Sequence, residues 1–141
     1  MDQDKRRRIR KFGELFTPQW VVEMMCDSLE QESGPDTYSP ASTFLEPSCG
    51  EGVFVLEVLR RKFANCRCRA DFSTAVRSVY AFDIQADNVE KTIDAVTGLC
   101  RQHFRPTGAD LEAIRNHVIQ ADALKVLRMM RDQNLQTSPG F

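Results

Sequence analysis

Three segments of this sequence combine acidic side chains or glycines in a way that suits ligand binding. Residues 46–52 read EPSCGEG, Asp83 ends the run VYAFD, and Asp122 comes two residues after VIQ. Gly50 and Gly52 allow the backbone to approach a ligand closely and to adopt positive φ. The Asp83 carboxylate can accept hydrogen bonds from both hydroxyls of a ribose. The Asp122 carboxylate can accept a hydrogen bond from the exocyclic amine of adenine. Together these features predict a nucleoside pocket, although each alone also fits a turn or a helix cap.

The elements that would position these segments alternate along the chain. Short apolar runs predict buried strands at 43–46, 78–84 and 118–122, and helical spacing predicts helices at 53–63, 86–104 and 124–130. A leading helix opens at Thr17-Pro18, where Thr can cap and Pro suits the first turn. We therefore expect an α/β fold, a Rossmann-like doubly wound parallel sheet that is incomplete and holds its first three strands. Right-handed crossovers would place helices on both faces.

The carboxyl ends of such strands form the ligand-binding edge of the sheet. A dinucleotide fingerprint is incomplete here, because Val55 stands where a third glycine is required and Asp83 follows later than the usual spacing of about 20 residues. Glu46 would repel a pyrophosphate, but it suits a ligand with a cationic amino-acid tail. S-adenosylmethionine carries an ammonium and a sulfonium, so the electrostatics favour it as the cofactor.

Four segments resemble the motifs of one enzyme family. Residues 46–54 (EPSCGEGVF) resemble D/E-P-x-x-G-x-G-x-F, the first motif of the adenine-N6 DNA methyltransferases. Phe16-Thr17-Pro18 resembles the F/Y-T-P element that precedes it in the gamma-type arrangement, as in type I and combined restriction–modification enzymes. Residues 81–84 (AFDI) and 120–124 (QADAL) resemble the second and third motifs. The resemblance spans roughly residues 12–125.

The resemblance implies a partial S-adenosylmethionine-binding methyltransferase domain at 12–141. The dense basic charge of residues 5–11 separately predicts a basic flexible arm at 1–11. It implies that the methionine end of the cofactor is covered by Phe16, Thr17 and Pro18, and lined by Glu46, Ser48, Gly50 and Gly52, with Phe54 supporting the turn. It further implies that Asp83 holds the ribose with Ile84 against the adenine face, and that Asp122 binds the adenine amine with Ala123 beside it. Ordinary core packing is an equal alternative for Phe16, Phe54 and Ile84.

The catalytic motif of that family, N/D-P-P-Y/F, has no counterpart in the sequence. The nearest segment is 138–141 (SPGF), where Ser lacks the reach of an amide or carboxylate, and 132–137 (DQNLQT) is too polar for the buried strand that should precede the motif. We assign no catalytic residue and expect either a fragment of a longer enzyme or a shortened protein without its own catalysis. This polypeptide alone is not expected to methylate DNA, and it would meet DNA through the full-length enzyme or a partner subunit. An exposed strand edge and uncovered apolar surface would favour self-association.

Charge, cysteine content and hydropathy limit the classes of protein to which this sequence can belong. The 141 residues carry a net charge of −1, and the five cysteines are an odd number that favours reduced thiols over a disulfide framework or a metal site. The sequence has no run of about 18 apolar residues, and its basic N-terminus has no apolar segment of a secretory signal after it, so we expect a cytoplasmic protein without a membrane partner. The main alternative is a non-catalytic module that uses the basic arm on nucleic acid or a partner protein. A methyltransferase of RNA, protein or small molecules stays open, and a nicotinamide oxidoreductase is the most distant reading.

Overall fold

A computed structural model describes residues 17–137. The basic arm, Phe16 and the segment 138–141 lie outside the described residues. The element order is α1 (Gln19–Ser33), β1 (Phe44–Glu46), α2 (Val53–Ala64), α3 (Arg69–Arg77), β2 (Val79–Asp83), α4 (Ala86–His103), α5 (Gly108–His117), β3 (Val118–Gln120) and α6 (Ala123–Thr137). The predicted α/β alternation is confirmed. None of the described helices is long and apolar enough to cross a membrane.

Two local expectations differ from the structure. Helix α3 was not predicted, although Phe72, Ala75 and Val76 have the spacing of an apolar helical face and pack into the core. At the start of α1, the predicted Thr17 cap is wrong. Pro18 occupies the N-cap position with extended backbone (φ −62°, ψ 148°), and no side chain caps the helix.

The sheet is parallel, with strand order β1-β2-β3. Alternate strand residues, including Val79, Ala81 and Val118, enter one core cluster together with apolar residues of α1 to α5. Leu45 and Ile119 point to the other face and stay 42% and 39% exposed. In residues 17–137 the crossover helices therefore share one face rather than both. The strand order advances in one direction, and crossovers of the same hand then return to the same side.

The loop that leads into β1 is held by a buried cation. Lys62 on α2 is fully buried, and its Nζ donates to Ser39 O at 2.7 Å, to Ser42 Oγ at 2.8 Å and to Pro40 O at 3.4 Å. Burial lowers the pKa of Lys62 to about 8, so the ammonium persists at neutral pH. This contact fixes where β1 starts, and with it the turn that follows β1.

A second polar cluster joins α3 to α5. Asp110 is buried and accepts hydrogen bonds from Arg77 Nη1 at 2.8 Å, Arg69 Nη2 at 2.6 Å, Ser73 Oγ at 2.8 Å and Thr107 N at 2.9 Å. The Thr107 hydroxyl in turn accepts the Asp110 N–H and completes a capping box. The cluster locks the helices that precede β2 and β3, and so contributes to the placement of both strand ends.

Candidate functional site

The turn between β1 and α2 has the backbone conformation that its glycines allow. Gly50 has φ +53° and Gly52, the N-cap of α2, has φ +92°, so the expected positive φ at both glycines is confirmed. Glu46 Oε1 accepts the Ser48 N–H at 3.0 Å, and Cys49 O accepts the Gly52 N–H at 2.8 Å. These bonds curl residues 46–52, here called the glycine turn, over the end of β1.

Asp83 at the end of β2 faces the glycine turn. Its Oδ2 accepts the Gly50 N–H at 2.9 Å, and its Oδ1 accepts the Gln85 N–H at 2.8 Å and Asn88 Nδ2 at 3.3 Å. The neighbouring Phe82 O accepts the Cys49 N–H at 2.8 Å. Asp83 is 6% exposed, and these three donors use most of its acceptor capacity.

Asp122 follows β3 and lies at the same edge of the sheet. Asp83 O accepts the Ala121 N–H at 3.0 Å, and Gln120 Nε2 donates to Ile84 O at 3.2 Å, so the ends of β2 and β3 are joined. Asp122 itself is exposed, and its Oδ1 accepts the N–H groups of Leu124 at 3.0 Å and Lys125 at 3.4 Å. It thus caps α6, which is the structural role that sequence alone left open.

The residues predicted to contact adenine differ in exposure. Ile84 is 58% exposed beside Asp83, where its side chain is free to meet a planar ring. Ala123 is buried at the first position of α6. Ile84 directly follows β2 and Ala123 follows the residues that end β3, so both belong to the edge at which the resemblance implies the base.

The residues predicted around the methionine end are spread more widely. Phe54 packs against the core and borders an apolar groove of about 290 Å³ together with Met25, Leu29, Leu45 and Glu46. Core packing therefore accounts for at least part of the role of Phe54. Glu46 is half-buried, and burial raises the pKa of its carboxyl above the usual range despite the Ser48 N–H that it accepts.

The first turn of α1 is hydrogen-bonded to α2. Thr17 is half-buried and Pro18 exposed, and the adjacent Gln19 Nε2 donates to Glu57 Oε1 on α2 at 3.2 Å. Ser48, on the glycine turn, is exposed. Gln19, directly after Thr17 and Pro18, is therefore bonded to the helix that the glycine turn begins, and Phe16 lies outside the described residues.

Sequence reasoning missed two residues that support this edge. Asn88 and Thr92 are fully buried polar residues one turn apart on α4. Asn88 donates to Asp83, and the Thr92 hydroxyl donates to Gly50 O at 3.0 Å. Their spacing of four within an otherwise apolar helical face, with Val89 and Ile93 as neighbours, was the available signal.

The edge is acidic and has no activated nucleophile among residues 17–137. Glu46 and Asp83 end β1 and β2, Asp122 follows β3, and Glu51 Oε1 of the glycine turn lies 3.6 Å from Lys91 Nζ. Cys49 is buried against Thr92, with its Sγ 3.6 Å from Thr92 Oγ1, and burial raises the pKa of its thiol to about 11. The thiol is therefore neutral at pH 7, and this edge is suited to bind a ligand by hydrogen bonds and charge.

Comparison with known proteins identifies no relative of this chain. No family model matches the chain, and no curated protein or solved structure resembles it significantly.

Proposed function

We propose that the chain binds S-adenosylmethionine at the carboxyl edge of its sheet, as the cofactor-binding part of a DNA adenine-N6 methyltransferase of the restriction–modification type. The observation that carries the proposal is the meeting of three strand ends: Asp83 accepts the Gly50 N–H from the turn after β1, and its own carbonyl accepts the Ala121 N–H after β3. Ligands of parallel α/β sheets bind at such an edge.

The chemistry of the edge supports an adenosyl ligand with a cationic tail over a dinucleotide. Glu46 provides negative charge on the glycine turn, where a pyrophosphate would instead need positive charge or free N–H groups. Val55, at the position of the third glycine of a dinucleotide fingerprint, is buried in the core. Asp83 supplies an acceptor for the ribose, and Asp122 one for the adenine amine.

The methyl acceptor is proposed from the motif resemblance. The spacing of EPSCGEGVF, AFDI and QADAL is similar to that of the adenine-N6 DNA methyltransferases, and the finer methyltransferase type of the sheet is part of the same proposal. No N/D-P-P-Y/F motif stands in the 141 residues, so the expected property of this chain is cofactor binding without turnover. Transfer to DNA would need residues supplied by a longer chain or a partner subunit.

A second candidate is a module that binds nucleic acid or another polyanion without a cofactor. The observation that favours it is a pair of exposed arginines, Arg101 and Arg105, which border the concave surface beside Pro106. Within residues 17–137 neither guanidinium has an acidic partner. Such a surface binds a polyanion with an affinity that falls steeply with salt and does not respond to S-adenosylmethionine.

The proposal is tested by calorimetric titration with S-adenosylmethionine, S-adenosylhomocysteine and NAD. We expect the first two to bind and NAD not to, and Asp83→Ala to abolish binding. A matched control is Asp94→Ala on α4, since Asp94 is exposed and should leave binding unchanged. Ligand at 100 times its Kd should stabilise the fold by about 2.7 kcal/mol, which raises Tm. Absence of binding, together with salt-dependent DNA binding, would instead favour the polyanion-binding module.

A further inference from the structure

Two buried polar side chains on α4 connect separately to the two halves of the proposed ligand site. Thr92 donates its hydroxyl to Gly50 O at 3.0 Å, and Asn88 donates its amide to Asp83 Oδ1 at 3.3 Å. Both side chains are fully buried, so neither can touch a ligand in this conformation. Any effect that they have on a ligand must act through Gly50 or Asp83.

Gly50 is held at both of its peptide groups. Its N–H donates to Asp83 and its C=O accepts from Thr92, and these two bonds fix the turn at a residue with φ +53°. Thr92 also sets the local space, because a Cβ added at Gly52 would lie 3.1 Å from Thr92 Cγ2 and Oγ1. Thr92 thus adds a side-chain contact from α4 to the bonds by which Cys49 N–H and Gly50 N–H hold the glycine turn against β2.

Asp83 is oriented from the other side. Asn88 and the Gln85 N–H share Oδ1, while Oδ2 has Gly50 N–H as its one donor within residues 17–137 and keeps one acceptor position. Gln85 and Asn88 together orient the carboxylate through Oδ1, and the remaining acceptor position on Oδ2 is the one that a ribose hydroxyl can use.

We infer that Thr92 and Asn88 are positioning residues of the nucleoside site, Thr92 for the half that takes the amino-acid tail and Asn88 for the half that takes the ribose. This inference rests on the proposed function, since it assigns parts of the same ligand to the same site. Thr92 keeps the glycine turn in place for the tail. Asn88 keeps the Asp83 carboxylate aimed at the hydroxyls.

The test compares a ligand that has the tail with one that lacks it. S-adenosylhomocysteine carries the amino-acid tail, whereas 5′-methylthioadenosine is the same nucleoside without it. Thr92→Val removes the hydroxyl and keeps the shape. It should raise the Kd for S-adenosylhomocysteine about two- to tenfold, as expected for one net hydrogen bond, and leave the Kd for 5′-methylthioadenosine unchanged.

Rescue and matched controls separate positioning from a general loss of stability. Thr92→Ser restores the hydroxyl and should return the Kd toward that of the wild type, whereas Thr97→Val makes the same exchange elsewhere on α4 and should change neither Kd. Asn88→Ala should raise the Kd of both ligands by similar factors, because each ligand contains the ribose. All titrations are made well below the Tm of each variant, so that a lower Tm does not itself change the Kd.

The outcomes distinguish this inference from the proposed function. Suppose that the wild type binds S-adenosylhomocysteine and that Thr92→Val raises the Kd of both ligands equally or changes neither Kd. The division of roles is then overturned, while cofactor binding stands. If no variant and no wild-type protein binds either ligand, both proposals are overturned. Selective loss of the tailed ligand, restored by serine, supports the inference.

Discussion

Replacement of Asp83 by asparagine should reveal how strongly the site residue also holds the fold together. The carboxylate accepts three N–H donors, from Gly50, Gln85 and Asn88. Asparagine offers one acceptor oxygen and one donor nitrogen, so its nitrogen must face either Gly50 N–H or Gln85 N–H. In either orientation a backbone donor loses its partner, while the Asn88 amide can rotate to adapt.

The magnitude follows from the type of bond that is lost. A hydrogen bond to a charged group contributes about 1.5–3 kcal/mol, and a poorly hydrated donor left without an acceptor costs a similar amount. We therefore expect Asp83→Asn to lower the free energy of unfolding by about 2–3 kcal/mol. Urea denaturation at pH 7 measures it, with an unchanged m value as the sign that the denatured state is unaffected.

A second acid at the same edge provides the control. Asp122 is exposed and caps α6 through the Leu124 and Lys125 N–H groups, and asparagine is an equally good N-cap. Asp122→Asn should change the free energy of unfolding by less than about 0.5 kcal/mol. Equal losses for the two variants, or no loss for Asp83→Asn, would show that the three bonds to Asp83 do not stabilise the fold as reasoned.

Two further stability predictions use the same urea assay. Burial alone would raise the pKa of Asp110, but hydrogen bonds, led by the one from Arg77, hold it well below its usual range, so Asp110→Asn should cost about 2–4 kcal/mol at pH 7. That difference should shrink as the pH falls below about 4, the pKa of the unfolded chain, and a gap that stays constant down to pH 2 would contradict the assigned ionisation. Gly52→Ala should lower the free energy of unfolding by about 2 kcal/mol, because Gly52 has φ +92° and the new Cβ would lie 3.1 Å from Thr92. Gly98→Ala should raise the free energy of unfolding by about 0.5–1 kcal/mol, because a Cβ at this position of α4 would meet open space. Losses of similar size at both glycines would refute the conformational argument.

Much of the secondary structure could be predicted because its signals are local. The apolar runs before Glu46 and Asp83 and the helical spacing over residues 86–104 involve neighbours that are close in sequence, and the structure has elements at these places. That Gly50 and Gly52 can adopt positive φ follows from residue type alone, and both glycines do so. Helix α3 was missed because its apolar residues are few and lie between arginines.

The sequence by itself determined the α/β alternation, the glycine turn and the acids that follow three strands, because each depends on residue type and short-range spacing. Only the tertiary structure decided that Asp83 meets Gly50, 33 positions away, and that Thr92 meets Gly50 across 42 positions. Those contacts depend on the parallel register of β1 with β2 and on the packing of α4 against α2, which no local pattern specifies. For the same reason, the bonds that already occupy Asp83 and the role of Asp122 as a helix cap emerged only when the chain was folded.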